Sequence, residues 1–301
     1  MALAKEALPA NSRLYRRSGR FFARRSVQRV VGRVVIHVLL LLGSVVMLVP
    51  LAWLLSSSLK PNGLIFVVPP RWIPNPIQWS NYARVWQMIP FALYTRNTLI
   101  ITVFSIIGAC SSASLVAFGF ARLRFPGRDV LFLVLLATIM IPEQVTLIPT
   151  YVLFRIIKWL DTYYPLIVPT FFGGGAFNIF LLRQYFMRLP LELDDAARID
   201  GCSSWSIFLR ILLPQARPAL GVIAIFGFMG NWNGFFLPLI YLNSPEKYTL
   251  SLGLNLFRGT QFAAWNLLMA ASTMTALPCI VLYFIAQRYF IQGIVFTGVK
   301  G

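Results

Sequence analysis

A chain of 301 residues that is 58% hydrophobic and 12% charged, with mean hydropathy +0.72, falls outside the soluble globular class, where roughly a quarter of residues are charged. Its formal net charge of +18 would suggest a nucleic-acid partner in a soluble protein, but here the basic residues gather between apolar segments, so no nucleic acid is expected. Three cysteines (Cys110, Cys202, Cys279) without paired spacing and a single histidine, His37, exclude a disulfide framework, a metal site and most histidine-based catalysis.

Residues 1–33 carry Lys5 and eight arginines against Glu6, which reads as a cytoplasmic tail, partly disordered, lying on anionic membrane lipid. The apolar run from there to Leu55 is long enough to span. It lacks the short core and small-residue cleavage site of a secretory signal, so an uncleaved first transmembrane helix is expected. Residues 56–95 are rich in proline and tryptophan and form an extracytoplasmic loop, with a short helix from Ser80 to Met88. Asn97 to Phe120 is the second span, its Ser105, Ala109 and Ala113 at four-residue spacing allowing close helix contact. Arg122, Arg124 and Arg128 mark a short inside turn.

The third span starts near Asp129 and is interrupted at Pro142-Glu143, with Pro149 beyond. Glu143 would lie about 21 Å from the inner end at about 1.5 Å per residue. A carboxylate at that depth is a candidate substrate-pathway group, or sits where the bundle opens to water. The fourth span, Tyr164 to Leu182, contains Gly173, Gly174 and Gly175, which suit a bend or a close backbone approach. The fifth, Ala219 to Leu242, carries Asn231, Trp232 and Asn233 between Gly230 and Gly234. Two amides and an indole at mid-membrane either bond across helices or face a polar cavity. A second outer loop, 243–264, precedes a sixth span from Trp265 to Gln287 and an inside tail. This topology puts 19 of the 27 basic residues inside, as the positive-inside rule requires. The divisions are thus a basic tail (1–33), a six-helix transmembrane domain (34–288) and a C-terminal tail (289–301).

Between the fourth and fifth spans lies a polar island, Pro190 to Pro218. Glu192, Asp194 and Asp195 suit the positive end of a helix, and Ala196 and Ala197 favour helix with low relief. Gly201 can close that helix in a left-handed cap, and Ser203 or Ser204 can start the next. Trp205, Phe208, Leu209 and Leu212 then fall on one helical face, and Pro214 stops it. The product is a helix-turn-helix at the water face, either a docking surface or an ordered loop packing its own helices.

Asp195-Ala196-Ala197, Gly201 and Ile211-Leu212-Leu213-Pro214 resemble the EAA loop (EAA, three residues, G, then I-x-L-P) of ABC importer permeases, with Asp195 one methylene shorter than the usual glutamate. Met140-Ile-Pro142-x-Gln144-Val-Thr-Leu-Ile-Pro149 is similar to the third span of maltose-type (MalG-like) permeases. Gln287-Arg-Tyr-Phe-Ile-x-Gly293 with Gly298-Val-Lys-Gly301 is similar to their C-terminal signature. The resemblance runs from the first span to the end and implies an all-α, type I importer fold of six transmembrane helices with both termini cytoplasmic, in a prokaryotic plasma (inner) membrane. It implies that Asp194, Asp195, Ala196, Ala197, Asp200, Gly201, Trp205, Leu213 and Pro214 couple to an ATPase, with Val299, Lys300 and Gly301 as secondary contacts. The implied partners are a homodimeric cytoplasmic ABC ATPase holding ATP and Mg, a second, MalF-like permease, and an extracytoplasmic sugar-binding protein.

The chain has no G-x-x-x-x-G-K-[ST]; Gly293 to Gly298 has the spacing, but Val299 stands where lysine should be. No cofactor is therefore expected on this subunit, and it is not expected to be an enzyme. For a carbohydrate, aromatic faces stack on sugar rings and amides meet hydroxyls, so Glu143, Asn231, Trp232, Asn233 and Phe236 are the substrate-pathway candidates, with packing the plainer role for Phe236. Two alternatives stand beside a sugar importer. One is an importer of a phosphorylated polyol such as glycerol phosphate, which would want an arginine or lysine facing the cavity; none lies deep in the spans, which favours a neutral sugar. The other is a membrane-embedded glycosyltransferase, which would use the acids near Glu192.

Overall fold

The computed structural model describes residues 12–259 and 263–295. The described residues are helical with turns between, and no strand occurs among them. Along the sequence the chain divides into two units, with the boundary after Ser56.

The first unit is one helix, α1 (Ser12–Ser58), which runs on into the first residues of the second unit. It begins 21 residues before the expected boundary at Arg33. Residues 12–33 lack proline and are rich in arginine, a good helix former, so the apolar helix continues outward into its basic approach. His37 Nδ1 lies 2.7 Å from the Arg33 carbonyl one turn back.

The second unit is built on α3 (Phe91–Arg122), which follows α2 (Ser80–Met88). The limits of α2 are those expected, and no side chain caps its start. Asn81 is instead fully buried and donates to the carbonyls of Ser58 and Lys60. Beyond the turn at 123–127 come α4 (Arg128–Ala137), a short 3-10 turn, and α5 (Glu143–Ile156). These two helices diverge by 96°. Pro142 sits in extended conformation at the break and offers no N–H to continue the ladder. The 21 Å depth assigned to Glu143 assumes a straight helix and does not hold: Glu143 opens a helix that has turned away.

The fourth span starts as α6 (Tyr164–Ile167), continues as a 3-10 turn, and bends at Gly173, Gly174 and Gly175, all with positive φ, into α7 (Ala176–Arg188). The bend rests on the small face of α3. A Cβ on Gly174 would stand 2.5 Å from the Ala109 carbonyl oxygen. Ser105 and Ser112 donate to the carbonyls of Leu166 and Thr170, satisfying backbone that the broken helix leaves free.

The polar island forms α8 (Glu192–Ile199), α9 (Ser204–Ile207), a π turn (Phe208–Leu212) and α10 (Leu213–Gln215). α11 (Arg217–Asn233) leads to α12 (Phe236–Tyr241), α13 (Leu250–Leu254), a 3-10 turn and α14 (Trp265–Val295). The expected fifth span is therefore cut at Gly234, leaving 17 residues in α11, about 25 Å of helix.

Among the described residues, four helices are long and apolar enough to cross a membrane: Val31–Ser58, Phe91–Arg122, Tyr164–Arg188 and Trp265–Gln287. Two bent pairs, α4 with α5 and the helix 204–215 with α11, would raise the number to six. Two buried clusters hold the second unit. One joins Ala113, Ala117 and Phe118 of α3 to Leu182 and Phe186 of α7, Phe208 and Leu212 of the π turn, and Ile223 of α11. The other joins Phe91 and Tyr94 of α3 to Val85 of α2, Trp232 of α11, Leu250 of α13 and Ala270 of α14. α3 and α11 share both clusters and so connect the two ends.

Candidate functional site

The loop between α7 and α11 is shaped by local chemistry. Glu192, Asp194 and Asp195 occupy the first turn of α8, where the helix dipole favours anions. The helix closes at Gly201 with φ +80°; the Gly201 N–H donates to the Arg198 carbonyl at 3.0 Å and the Cys202 N–H to the Ala197 carbonyl at 2.8 Å. That bond pair is a Schellman cap. Ser203 then accepts from the Ser206 N–H and starts α9.

The second helix differs from the expected amphipathic one. The π turn widens the repeat, so Ile207, Phe208 and Leu212 share the buried side while Trp205 (57% exposed) and Leu209 lie outside it. Pro214 does not end the helix; it sits early in α10, where its missing N–H follows the π turn.

Of the residues expected at the docking surface, Asp195, Ala196, Asp200, Gly201 and Trp205 are exposed, and Leu213 and Pro214 are half-buried. Ala197 and Asp194 are buried and face inward. Asp194 Oδ2 lies 3.1 Å from Arg122 Nε at the end of α3, an ion pair whose angle falls outside hydrogen-bond geometry. Arg122 also donates Nη2 to the Leu189 carbonyl at the end of α7. Burial pushes the Asp194 carboxyl up, and the Arg122 and Arg198 guanidinium groups pull against that rise. Ile199, 87% exposed at the tip, is an apolar contributor that the motif does not mark. Val299, Lys300 and Gly301 lie outside the described residues.

The substrate-pathway candidates separate. Trp232 is 2% exposed; its indole N–H donates to the Thr275 carbonyl of α14 at 3.0 Å and its ring stacks on Phe228, so it belongs to the core. Asn231 and Asn233 each return a bond to their own helix, at the Gly227 and Met229 carbonyls, the first half-buried and the second exposed. Phe236 is exposed at the start of α12. Glu143 is exposed on α5, on the helical face that carries Tyr151 and Phe154 against Tyr241 of α12. Among the described residues no group of histidines, cysteines and carboxylates could hold a metal ion.

The loops expected outside are tied to each other. Asp161, between α5 and α6, accepts at Oδ1 from the Asn243 and Ser244 N–H groups and at Oδ2 from the Ser244 hydroxyl and Lys247 Nζ. Asn97, in the second turn of α3, donates to the carbonyls of Glu246 and Tyr248.

Residues 112–295 match the family model described as "Binding-protein-dependent transport system inner membrane component". A probable ABC transporter permease protein of Pyrococcus horikoshii is 37% identical over 257 residues, 84% of this chain and 92% of that protein. The arabinooligosaccharides transport system permease protein AraQ of Bacillus subtilis is 32% identical over 282 residues, 92% of this chain and 99% of that one. Among solved structures, a chain of a bacterial ABC transporter involved in the import of the acidic polysaccharide alginate superposes with TM-score 0.77 at 26% identity, covering 88% of this chain and 98% of its own.

Proposed function

The chain belongs to the family of binding-protein-dependent transport system inner membrane components, and from that membership we infer that it forms half of the pathway of an ATP-driven carbohydrate importer. The carrying observation is the corner at Gly201. It presents Asp195, Ala196, Ile199 and Trp205 to water, while Asp194 and the π turn root it in α3, α7 and α11. An apolar tip ringed by charge, standing on a rigid base, has the composition of a docking surface. The arabinooligosaccharide and alginate systems among its relatives support a saccharide cargo.

In this reading a homodimeric cytoplasmic ATPase binds ATP and Mg, closes, and pulls the Gly201 corner. The pull reaches α3 through Arg122 and α11 through the π turn, and the helices rock between inward- and outward-open states. A second, non-identical permease supplies the other half of the pathway, an extracytoplasmic sugar-binding protein meets the outer loops, and both termini face the cytoplasm. Recovery of the tagged chain from its own membranes in mild detergent, with partners identified by mass, tests this. An ATPase, a second permease and a sugar-binding protein are expected. The chain alone, under conditions that preserve known complexes, overturns the reading.

A further inference from the structure

α13 and the 3-10 turn that follows it face the first turns of α14 across a cavity of about 450 Å³, a volume within the usual range for small-molecule sites. Phe235, at the break between α11 and α12, forms one wall. Trp265 forms another, and Ser251, Asn255 and Ser272 place hydroxyl and amide groups between them. Arg258 completes the lining, which contains no carboxylate, and Arg258 makes no ion pair among the described residues.

The walls are held in place. Asn266, next to Trp265, is buried and donates Nδ2 to Asn81 Oδ1 at 3.0 Å, and its N–H reaches Asn62 Oδ1. Asn62 in turn donates to the Ala263 carbonyl, and Phe66 packs edge-on against the Trp265 ring at 5.5 Å between centroids. On the other side, the Ser251 hydroxyl donates to the Trp232 carbonyl, which ties the cavity floor to the end of α11. A fixed aromatic face, spaced hydrogen-bonding groups and an uncompensated guanidinium are complementary to a ring with hydroxyls and a carboxylate.

We propose that this cavity is a binding subsite for an acidic saccharide unit, with the ring face on Trp265 and Phe235 and the carboxylate on Arg258. The inference rests on the importer reading, in which this end faces the delivering protein. The cavity adds polar groups from α13 and α14 one segment beyond Asn231 and Asn233, whose amides each return one bond to their own helix.

The test uses the complex recovered in mild detergent and reconstituted in nanodiscs. Methyl glucuronide, methyl glucoside and acetate serve as probes, with binding followed by saturation-transfer NMR. The glucuronide should bind about 10-fold more tightly than the glucoside or acetate, the scale of one charge-assisted contact. Arg258→Gln should bring the glucuronide down to the glucoside level, and Trp265→Leu should weaken both sugars and leave acetate unchanged. Each variant is accepted only if it recovers the same partners as the wild type. Equal binding of the two sugars, an undiminished preference in Arg258→Gln, acetate binding as tightly as the glucuronide, or no transfer to either sugar overturns the proposal. A complex that contains an ATPase but ignores the glucuronide sinks the subsite alone, whereas a chain that takes the glucuronide without recovering an ATPase sinks the importer reading instead.

Discussion

Arg122 Nε, in the last turn of α3, lies 3.1 Å from Asp194 Oδ2, in the first turn of α8, with the two side chains 3% and 7% exposed. Because Arg122 also holds the Leu189 carbonyl, one guanidinium fastens the helix that organises the second unit to both ends of the segment leading into the Gly201 corner. A buried pair is costly to break and often cheap to replace. Arg122→Ala, which leaves the Asp194 carboxylate buried beside empty space, should cost about 3–5 kcal/mol. The double variant Arg122→Met/Asp194→Leu should recover most of that loss. Thermal unfolding in nanodiscs checks both; equal destabilisation of single and double variants would show that packing, rather than charge, holds the corner.

Gly201 separates strain from bulk. No atom lies within 4 Å of the position a Cβ would take, so a side chain there meets only the penalty of a left-handed backbone, about 1–2 kcal/mol. Gly201→Asn, which tolerates that region, should retain most uptake. Gly201→Val should insert normally and lose uptake or ATPase association. Membrane abundance measured beside sugar uptake reads the difference, and full transport by the valine variant would mean the corner is not the coupling element.

Asp161, between α5 and α6, supplies a pH signature. Burial alone would raise its carboxyl, but the Ser244 hydroxyl, Lys247 and the Ser244 and Asn243 N–H groups reverse this and hold it well below the usual carboxylate range. A depressed acid contributes stability that is complete above its unfolded value and is lost as pH falls through the folded one. The stability difference between wild type and Asp161→Asn should therefore stay flat above about pH 5 and shrink only in stronger acid. Thermal melts of the two proteins from pH 7 downward measure it; a difference that grows on acidification would contradict the clamp.

How far the sequence reaches depends on whether a feature is local. The Gly201 cap, the Ser203 start and the limits of α2 follow from a few neighbouring residues, and all are found where expected. The Gly173 to Gly175 bend is equally legible, because three glycines leave few other conformations. Prolines are less informative. Pro50, Pro149 and Pro278 sit inside continuous helices, whereas Pro142 marks a 96° turn, so a proline in the sequence does not by itself say where a helix breaks. Asp194 reads as one of three helix-start acids, and only Arg122, 72 positions away in sequence, turns it inward. Phe235 and Arg258 carry no local signal for the same reason: neither becomes part of a cavity until α13 and α14 come together.

The adjacent pair Trp232 and Asn233 tests that distinction between core and cargo groups. Trp232 donates across to the Thr275 carbonyl from a nearly closed environment, so Trp232→Leu removes a large side chain and leaves that buried carbonyl without its partner. Truncating a buried aromatic and stranding an acceptor together should cost about 3–5 kcal/mol and lower the amount of protein in the membrane. Asn233 is exposed and returns its amide to the Met229 carbonyl, so Asn233→Leu should leave folding and assembly unchanged. If its other face meets the cargo, uptake should fall all the same, and the loss should appear at full membrane abundance. Uptake normalised to abundance separates the two variants: Trp232→Leu should retain its normalised activity and Asn233→Leu should not. Unchanged uptake in Asn233→Leu would remove Asn233 from the pathway and leave the cavity beyond Gly234 as the first polar surface that a sugar meets.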